Sequence, residues 1–313
     1  MEGGLGEMSD INLFRIGEKV EPVELRAVRL EKEIQTLIER NMETFFGVRF
    51  LATEYPVSLA DGADVQGGRI DSLGIDENNC PVIFEYKRDA NENVINQGLF
   101  YLDWLIDHRA DFKLLVMERL GAEAAEAIDW GSPAVYCVAN SFGKYDLHAI
   151  KQMNRNIRLV RYANGGDLVL FEYLNTPAAG VAAAPRGSSA PSAAGGRRDK
   201  TFTEQYGETT EALREVVDEV RRYMSEQGDD VSESVLKQYL AIKKVRNIVC
   251  VEVNGTRVIL HLRLNPDTVR LGGCVVDARN KGHWGTGDLE VSLKTMGELD
   301  SVKPLLDRAY LEN

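Results

Sequence analysis

Between residues 177 and 196, every position except Val181 and Arg186 is Ala, Gly, Pro or Ser. Such a run holds too little apolar surface to offset the entropy of ordering it. It cannot belong to a packed core, so the 313-residue chain must bury its apolar surface separately on either side. Pro177, Pro185 and Pro191 stiffen the run without giving it a fold. The expected organisation is a first domain over 1–176, a linker over 177–200 and a second domain over 201–313.

Several classes of protein are excluded. No apolar stretch approaches the ~20 residues of a membrane-spanning helix. The first residues, MEGGLGEMSDINLF, lack the basic-then-apolar order of a secretory signal. Cys80, Cys137, Cys250 and Cys274 are far apart, with no C-x-x-C pair, so neither a zinc module nor a disulfide framework is indicated. A reducing, cytoplasmic setting is expected. The net charge of −12 argues against a general polyanion coat, because non-specific nucleic-acid binding is mostly phosphate neutralisation by Lys and Arg. It leaves a nuclease open: catalytic carboxylates repel phosphate only until a divalent cation arrives.

The first domain reads as alternating elements. Residues 23–46 place Leu30, Ile34, Leu37, Ile38 and Phe45 at helical spacing. Residues 48–55, 69–75 and 81–87 read as strands, and 90–108 returns to helical spacing. The short apolar runs 113–117 and 134–139 read as buried strands, and 157–162 with 168–173 as a hairpin around Asn164-Gly165-Gly166. This predicts an α/β fold with helices flanking a central mixed sheet. In the second domain, a long helix over 204–227 and another near 232–239 precede strands 248–253 and 256–264, which flank Asn254-Gly255, a favoured hairpin turn. A closing helix falls near 297–310. This predicts a smaller α+β domain.

The strands 69–75 and 81–87 carry the chemistry. If their hairpin is symmetric about Asn78, pairing partners sum to 156 and Asp71 faces Glu85, with Cβ atoms about 5 Å apart. Two carboxylates that close repel unless one is protonated or a cation lies between them. Mg²⁺ or Mn²⁺ suits such hard oxygen donors. Lys87, two residues beyond Glu85, projects from the same face. A metal there would polarise a phosphoryl oxygen and acidify a water, while Lys87 orients that water or neutralises developing charge. Gln97 and Tyr101, four apart on the next helix, could hold the water or a phosphate. Each feature alone has a bland reading. A Glu-x-Lys pair on a strand is often a solvated ion pair of little energetic weight, and Gln97 and Tyr101 could be a polar helix shoulder. Together the bland readings fare worse, because Glu85 and Lys87 follow Pro-Val-Ile-Phe, a run of buried character.

Asp71, Glu85-Tyr86-Lys87 and Gln97-x-x-x-Tyr101 resemble the PD-(D/E)xK nuclease superfamily. The likeness is greatest to the nuclease domain of NucS-type endonucleases, with their RecB-like Gln-x-x-x-Tyr motif. Residues 31–35, Asn41, Glu54-Tyr55-Pro56 and Arg69-Ile70-Asp71 also fall where that family's motifs fall, and Ile70 stands where a Pro is usual. The likeness spans about 24–118. It implies a restriction-endonuclease-like fold around a four-stranded mixed sheet and a metal-dependent DNA endonuclease serving repair or defence. It places metal on Asp71 and Glu85, with Lys87, Gln97 and Tyr101 in catalysis. It also implies an acidic residue from the first helix, assigned to Glu31 with Glu33 as competitor. Arg88, next to Lys87, is a candidate nucleic-acid contact. DNA is the expected partner and RNA a weaker one, and a homodimer is compatible with this reading. The alternative is a nuclease scaffold without turnover, acting as a nucleic-acid- or protein-binding module.

For the second domain, taking Asn254-Gly255 as a two-residue loop makes partners sum to 509. Val249, Val251 and Val253 then share a core face with Val258, Leu260 and Leu262. The opposite face would carry Arg246, Arg257, His261 and Arg263, with Glu252 against Arg257. It is a candidate nucleic-acid surface, and equally a solvated outer face. The Gly282–Gly287 loop lacks the spacing of a phosphate loop, and His283 is expected to stack on Trp284. His108 and His148 are expected to be structural. Asn247-Ile248, His261-Leu262, the Gly-His-Trp-Gly loop and Ala309-Tyr310 resemble a small bacterial domain of unknown function. That resemblance implies a stable module and no particular chemistry.

Overall fold

The structure, a computed structural model, describes residues 11–26, 31–57, 67–87, 94–153, 155–175 and 200–313. The expected linker, apart from Lys200, lies outside the described residues, as does Arg88. The chain forms two compact units. One comprises Met1–Ile75, Pro81–Ala127 and Pro133–Pro177; the other comprises Asp76–Cys80, Ile128–Ser132 and Ala178–Asn313.

The first unit is α/β. After a hairpin of β1 (Leu13–Ile16) and β2 (Val20–Val23), helix α1 (Glu31–Phe46) leads into β3 (Val48–Val57), β4 (Gly68–Asp76) and β5 (Pro81–Lys87). Helices α2 (Val94–Asp107), α3 (Arg109–Leu120) and α4 (Ala122–Glu126) follow, then β6 (Ala134–Ala139), α5 (Lys144–Gln152), β7 (Ile157–Asn164) and β8 (Val169–Tyr173). The sheet order is β3-β4-β5-β6-β7-β8. β4 and β5 are antiparallel, β5, β6 and β7 run parallel, and β8 returns antiparallel to β7. This is the expected mixed sheet, with six strands rather than four. Its centre, β5 and β6, is buried almost throughout, as parallel strands covered on both faces must be.

One face of the sheet packs on α1 through Ile34, Ile38, Met42 and Phe46, which meet Phe84, Tyr86, Tyr136 and Val138. Helix α2 packs against β5 and β6, burying Val94, Ile95, Gly98, Tyr101, Leu102 and Leu105. Gly98 is what lets it approach: a Cβ there would lie 2.6 Å from Val135 Cγ1. Because side chains alternate along β6, Val135 and Cys137 point away from the α1 face, and by pairing register Glu85 shares their side.

Two expected elements of this unit differ. Residues 113–117 lie inside α3, where Phe112, Leu115 and Val116 are buried at helical spacing; a short apolar run does not distinguish a strand from a half-buried helix. The β1–β2 hairpin falls in a segment read without strands.

The second unit is an antiparallel sheet covered by helices. α6 (Phe202–Glu208) and α7 (Glu211–Ser225) precede β9 (Ser232–Val235), β10 (Leu240–Lys243), β11 (Asn247–Asn254), β12 (Arg257–Leu262), β13 (Val275–Asp277) and β14 (Leu289–Leu293); α8 (Met296–Leu311) closes the chain. The strand order is β13-β14-β12-β11-β10-β9. The single helix expected over 204–227 is two, because Thr210 acts as a new N-cap and accepts a hydrogen bond from Leu213 N. The helix expected near 232–239 is instead β9 and the turn into β10, with burial alternating along the strand. The β11–β12 register pairs Val249 with Leu262 and Asn254 with Arg257. Partners therefore sum to 511, not 509, and the loop is Gly255-Thr256. A shift of two preserves the sheet faces, so Val249, Val251, Val253, Val258, Leu260 and Leu262 do share the core with α7 and α8.

Gly98 offers a test of the packing that positions α2. Ala normally improves on Gly inside a helix by ~1 kcal/mol. Here the added methyl meets a fully buried, β-branched Val135, and overpacking costs about 1–3 kcal/mol. Gly98→Ala is expected to destabilise on balance, seen as a lower urea midpoint with an unchanged m-value.

Candidate active site

The β4–β5 pairing is Ser72 with Phe84, Leu73 with Ile83, Gly74 with Val82 and Ile75 with Pro81. These are the partners that sum to 156. Continued by one residue, the register brings Asp71 opposite Glu85, and side-chain hydrogen bonds cross the pair. Asp71 Oδ2 accepts from Tyr86 N at 2.9 Å, and Glu85 Oε1 accepts from Asp71 N at 3.3 Å. Glu85 is completely buried, and its second oxygen, Oε2, has no hydrogen-bond partner. Leaving such an atom unpaired costs about 1–3 kcal/mol, more for a charged group.

The electrostatics follow from this burial. Desolvation, reinforced by the Asp71 carboxylate, pushes the Glu85 carboxyl up to about 9, against the pull of the Asp71 N–H and Lys87. Asp71 is also raised, chiefly by burial, although the Tyr86 N–H and Lys87 oppose this. Without a cation, the pair therefore holds a proton on Glu85 near neutral pH. Lys87, the last residue of β5, acts on both carboxyls.

Of the two helix carboxylates considered, Glu31 is half-buried at the start of α1 and its charge reaches Asp71, whereas Glu33 is exposed. Gln97 and Tyr101 face one another on α2, with Gln97 Nε2 donating to Tyr101 Oη at 3.3 Å. Tyr101 Oη also accepts from Arg69 N at 3.3 Å and lies 2.8 Å from where a Gly68 Cβ would be. The absent side chain of Gly68 thus makes room for the tyrosine at the start of β4.

Three side chains around the pair were given no role from sequence. Gln35 is buried and donates from Nε2 to Asp71 O at 2.9 Å, to Thr53 Oγ1 at 3.2 Å and to Glu39 Oε1 at 3.0 Å. It ties α1 to the backbone that presents Asp71. Glu39 accepts from Ser72 Oγ at 2.6 Å. Glu54, on β3, has a left-handed backbone with φ 50°, and its charge raises both Asp71 and Glu85. The spacing 31, 35, 39 along one helix face was the signal available for Gln35 and Glu39.

The donor set suits a hard cation. Carboxylate oxygens are the ligands Mg²⁺ and Mn²⁺ prefer, and the orphaned Glu85 Oε2 is what a cation would satisfy. Among the described residues no group of three His, Cys, Asp or Glu side chains is arranged to hold a metal.

Of the four candidate nucleic-acid residues of the second unit, the structure buries one, His261. His261 is 1% exposed, its Nε2 lies 3.1 Å from a Glu252 carboxylate oxygen, and its ring stacks on His283 at 4.1 Å between centroids. Glu252 thus meets His261 rather than Arg257, and His283 covers His261 rather than lying on Trp284. Arg263 donates from Nε to Asn247 O at 2.7 Å and pairs with Glu77. This side of the sheet is covered within the unit: Cys80 packs with Leu236, Tyr239, Ala241 and Cys250, Asn78 Oδ1 accepts from Tyr239 Oη at 2.9 Å, and a Cβ on Gly285 would strike Cys250. Arg246 and Arg257 are exposed. His108, by contrast, is a packing residue as expected, stacked on Trp104 at 4.1 Å.

Comparison with known proteins adds the following. No family model matches the chain. An uncharacterised protein of Haemophilus influenzae is 25% identical over 303 residues, covering 90% of this chain and 93% of its own. A repair endonuclease from Pyrococcus abyssi aligns at 20% identity with a TM-score of 0.27, over 43% of this chain and 48% of its own. EndoMS, from a complex with double-stranded DNA, aligns at 21% identity with a TM-score of 0.24, over 46% and 49%. The chain thus spans about half the length of each of these solved proteins. Among the described residues no helix is long and apolar enough to cross a membrane.

The proton on Glu85 predicts a pH signature. The ordinary glutamate value is 4.5 and the folded value about 9, so between them the folded state binds the extra proton. Stability from this group is present below about 4.5 and is lost as pH rises toward 9. Metal-free Glu85→Gln is therefore expected to match wild type in mildly acidic buffer and to exceed it increasingly up to about pH 9. Urea unfolding in chelator across that range checks it.

Proposed function

We propose that the protein is a divalent-metal-dependent DNA endonuclease that hydrolyses phosphodiester bonds at the Asp71–Glu85–Lys87 site. The observation that carries this reading is the buried Glu85 carboxyl with an unpartnered oxygen, directly beside Asp71. A structural role gives no reason to bury two adjacent carboxylates and leave one oxygen orphaned, because replacing both by apolar groups is often neutral or stabilising. A cation-binding role supplies the reason. The PD-(D/E)xK likeness of the same residues points the same way.

Asp71 and Glu85 would hold Mg²⁺ or Mn²⁺, with Glu31 as the nearby helix carboxylate. When bound, the ion would polarise a phosphoryl oxygen and acidify water. Loading it requires Glu85 to give up its proton, so metal affinity should rise with pH. Lys87 lies beside both carboxylates and supplies a positive charge where the phosphorane would gain negative charge. Its ammonium can also orient the attacking water. Gln97 and Tyr101 hold one another and the Arg69 backbone N–H, which fixes the wall of the site formed by α2.

The expected outcome is Mn²⁺-dependent cleavage by the wild-type protein on a panel of single-stranded, duplex, branched and mismatched DNA. Asp71→Ala and Lys87→Ala should each lower the rate by at least ~10²-fold with Tm little changed. Calorimetry should show Mn²⁺ binding that Asp71→Ala removes. Wild-type protein that cuts no member of the panel, or binds no Mn²⁺, would overturn the proposal; RNA cleavage alone would redirect it to the weaker partner.

A further inference from the structure

Beside the carboxylate pair lies an ion cluster that the mechanism above does not use. Glu54 Oε1 is 3.2 Å from Lys32 Nζ, and Glu54 Oε2 is 3.4 Å from Arg69 Nε. One carboxylate is thus shared by two cations from different elements. The cluster is fastened to the site. Arg69 is two residues before Asp71 on β4, and Lys32 Nζ also donates to Gln35 Oε1 at 3.0 Å, the same Gln35 that holds Asp71 O. The Glu54 side chain is 34% exposed, whereas Lys32 and Arg69 are 61% and 69% exposed.

The energetics decide what such a cluster can do. Exposed ion pairs contribute little, because water screens the charges and the side chains lose freedom, so Glu54 is held lightly and can be exchanged. A phosphate offers the same two cations a doubly shared oxyanion and forms strong charge-assisted hydrogen bonds with them. The left-handed backbone of Glu54 is strained for a non-glycine residue. A cation placed against the orphaned Glu85 Oε2 would attract the Glu54 carboxylate, which already acts on both Asp71 and Glu85.

We propose that Glu54 is an exchangeable stand-in for substrate phosphate: it occupies Lys32 and Arg69 in the metal-free protein and turns toward the cation when the site is loaded, freeing both for the nucleic-acid backbone. This rests on the nuclease reading and adds an order to it. Cation binding precedes and strengthens polynucleotide binding, and Lys32 and Arg69 add to Lys87 the positive charge that a phosphate backbone needs.

The test measures binding, not turnover. Fluorescence anisotropy with short labelled DNA, single-stranded and duplex, is run in chelator and with Ca²⁺ or Mn²⁺ on the Lys87→Ala background, which blocks cutting. DNA affinity is expected to rise several-fold on adding cation. Glu54→Gln should raise the cation-free DNA affinity toward the loaded value, flatten the cation response and weaken Mn²⁺ binding by calorimetry. Lys32→Ala and Arg69→Ala should each reduce the salt slope of DNA binding by roughly 0.7–0.9 while Mn²⁺ binding without DNA persists. Melting curves monitor folding, and Glu54→Asn, which tolerates the left-handed backbone better, repeats the measurement should Glu54→Gln unfold. If wild type binds both Mn²⁺ and DNA but neither Glu54 variant shifts cation-free DNA affinity or Mn²⁺ affinity, this proposal alone fails. If wild type binds no Mn²⁺, the nuclease reading fails and takes this one with it.

Discussion

The burial of the Glu85 carboxyl opposite Asp71 is the constraint on which the site's chemistry turns. Water is excluded from Glu85 entirely, so its charge must be neutralised by a proton or a cation. Everything adjacent is arranged around that alternative. Asp71 spends one oxygen on Tyr86 N and Glu85 spends one on Asp71 N, which orients both groups across the hairpin. Lys87 lowers the cost of ionisation, while Glu54 raises it. The site is poised between the two states because these influences oppose one another.

Placement of the pair depends on packing at a distance from it. Gly98 lets α2 lie close over Val135, and α2 carries Gln97 and Tyr101, whose hydroxyl accepts from Arg69 N. Gly68 removes the side chain that would collide with Tyr101. On the opposite side, Gln35 gives up its amide protons to Asp71 O, Thr53 and Glu39, so α1 and the neighbouring strands are fixed to the same backbone. Gln35 therefore holds the backbone that presents Asp71, while the two glycines let α2 approach β6 and the start of β4.

How much of this could be read beforehand depended on the range of the interaction. The β4–β5 register was legible because a short turn dictates pairing locally, and the facing of Asp71 and Glu85 follows from it. The spacing of Gln97 and Tyr101 was legible for the same reason. The β11–β12 faces were legible although the loop is Gly255-Thr256, since a shift of two leaves the faces unchanged. The burial of His261 was not legible: Asn78, Cys80 and the Gly282–Gly287 loop, all remote in sequence, cover that side of the sheet. Nor was the position of Glu54, because a left-handed glutamate inside a strand breaks the alternation on which sequence reading relies. Residues 113–117 failed for a different reason, five apolar-rich positions being too few to reveal the helix around them.

The charge of the chain takes on a different meaning in this light. An overall −12 opposes any polyanion, and in the second unit Arg263 is engaged by Glu77 and His261 is buried, while Arg246 and Arg257 stay exposed. Attraction for a phosphate backbone must then be local: near the carboxylate pair Lys32 and Arg69 are engaged by Glu54, and Lys87 acts on both carboxyls. Under the proposed function, a site whose cations are so engaged would attract nucleic acid only once a divalent ion changed the balance. On the proposed reading, the carboxylates that make the metal-free site unfavourable for DNA would be the ones that a cation turns into a binding surface, and selectivity for the loaded state would follow from the charge distribution itself.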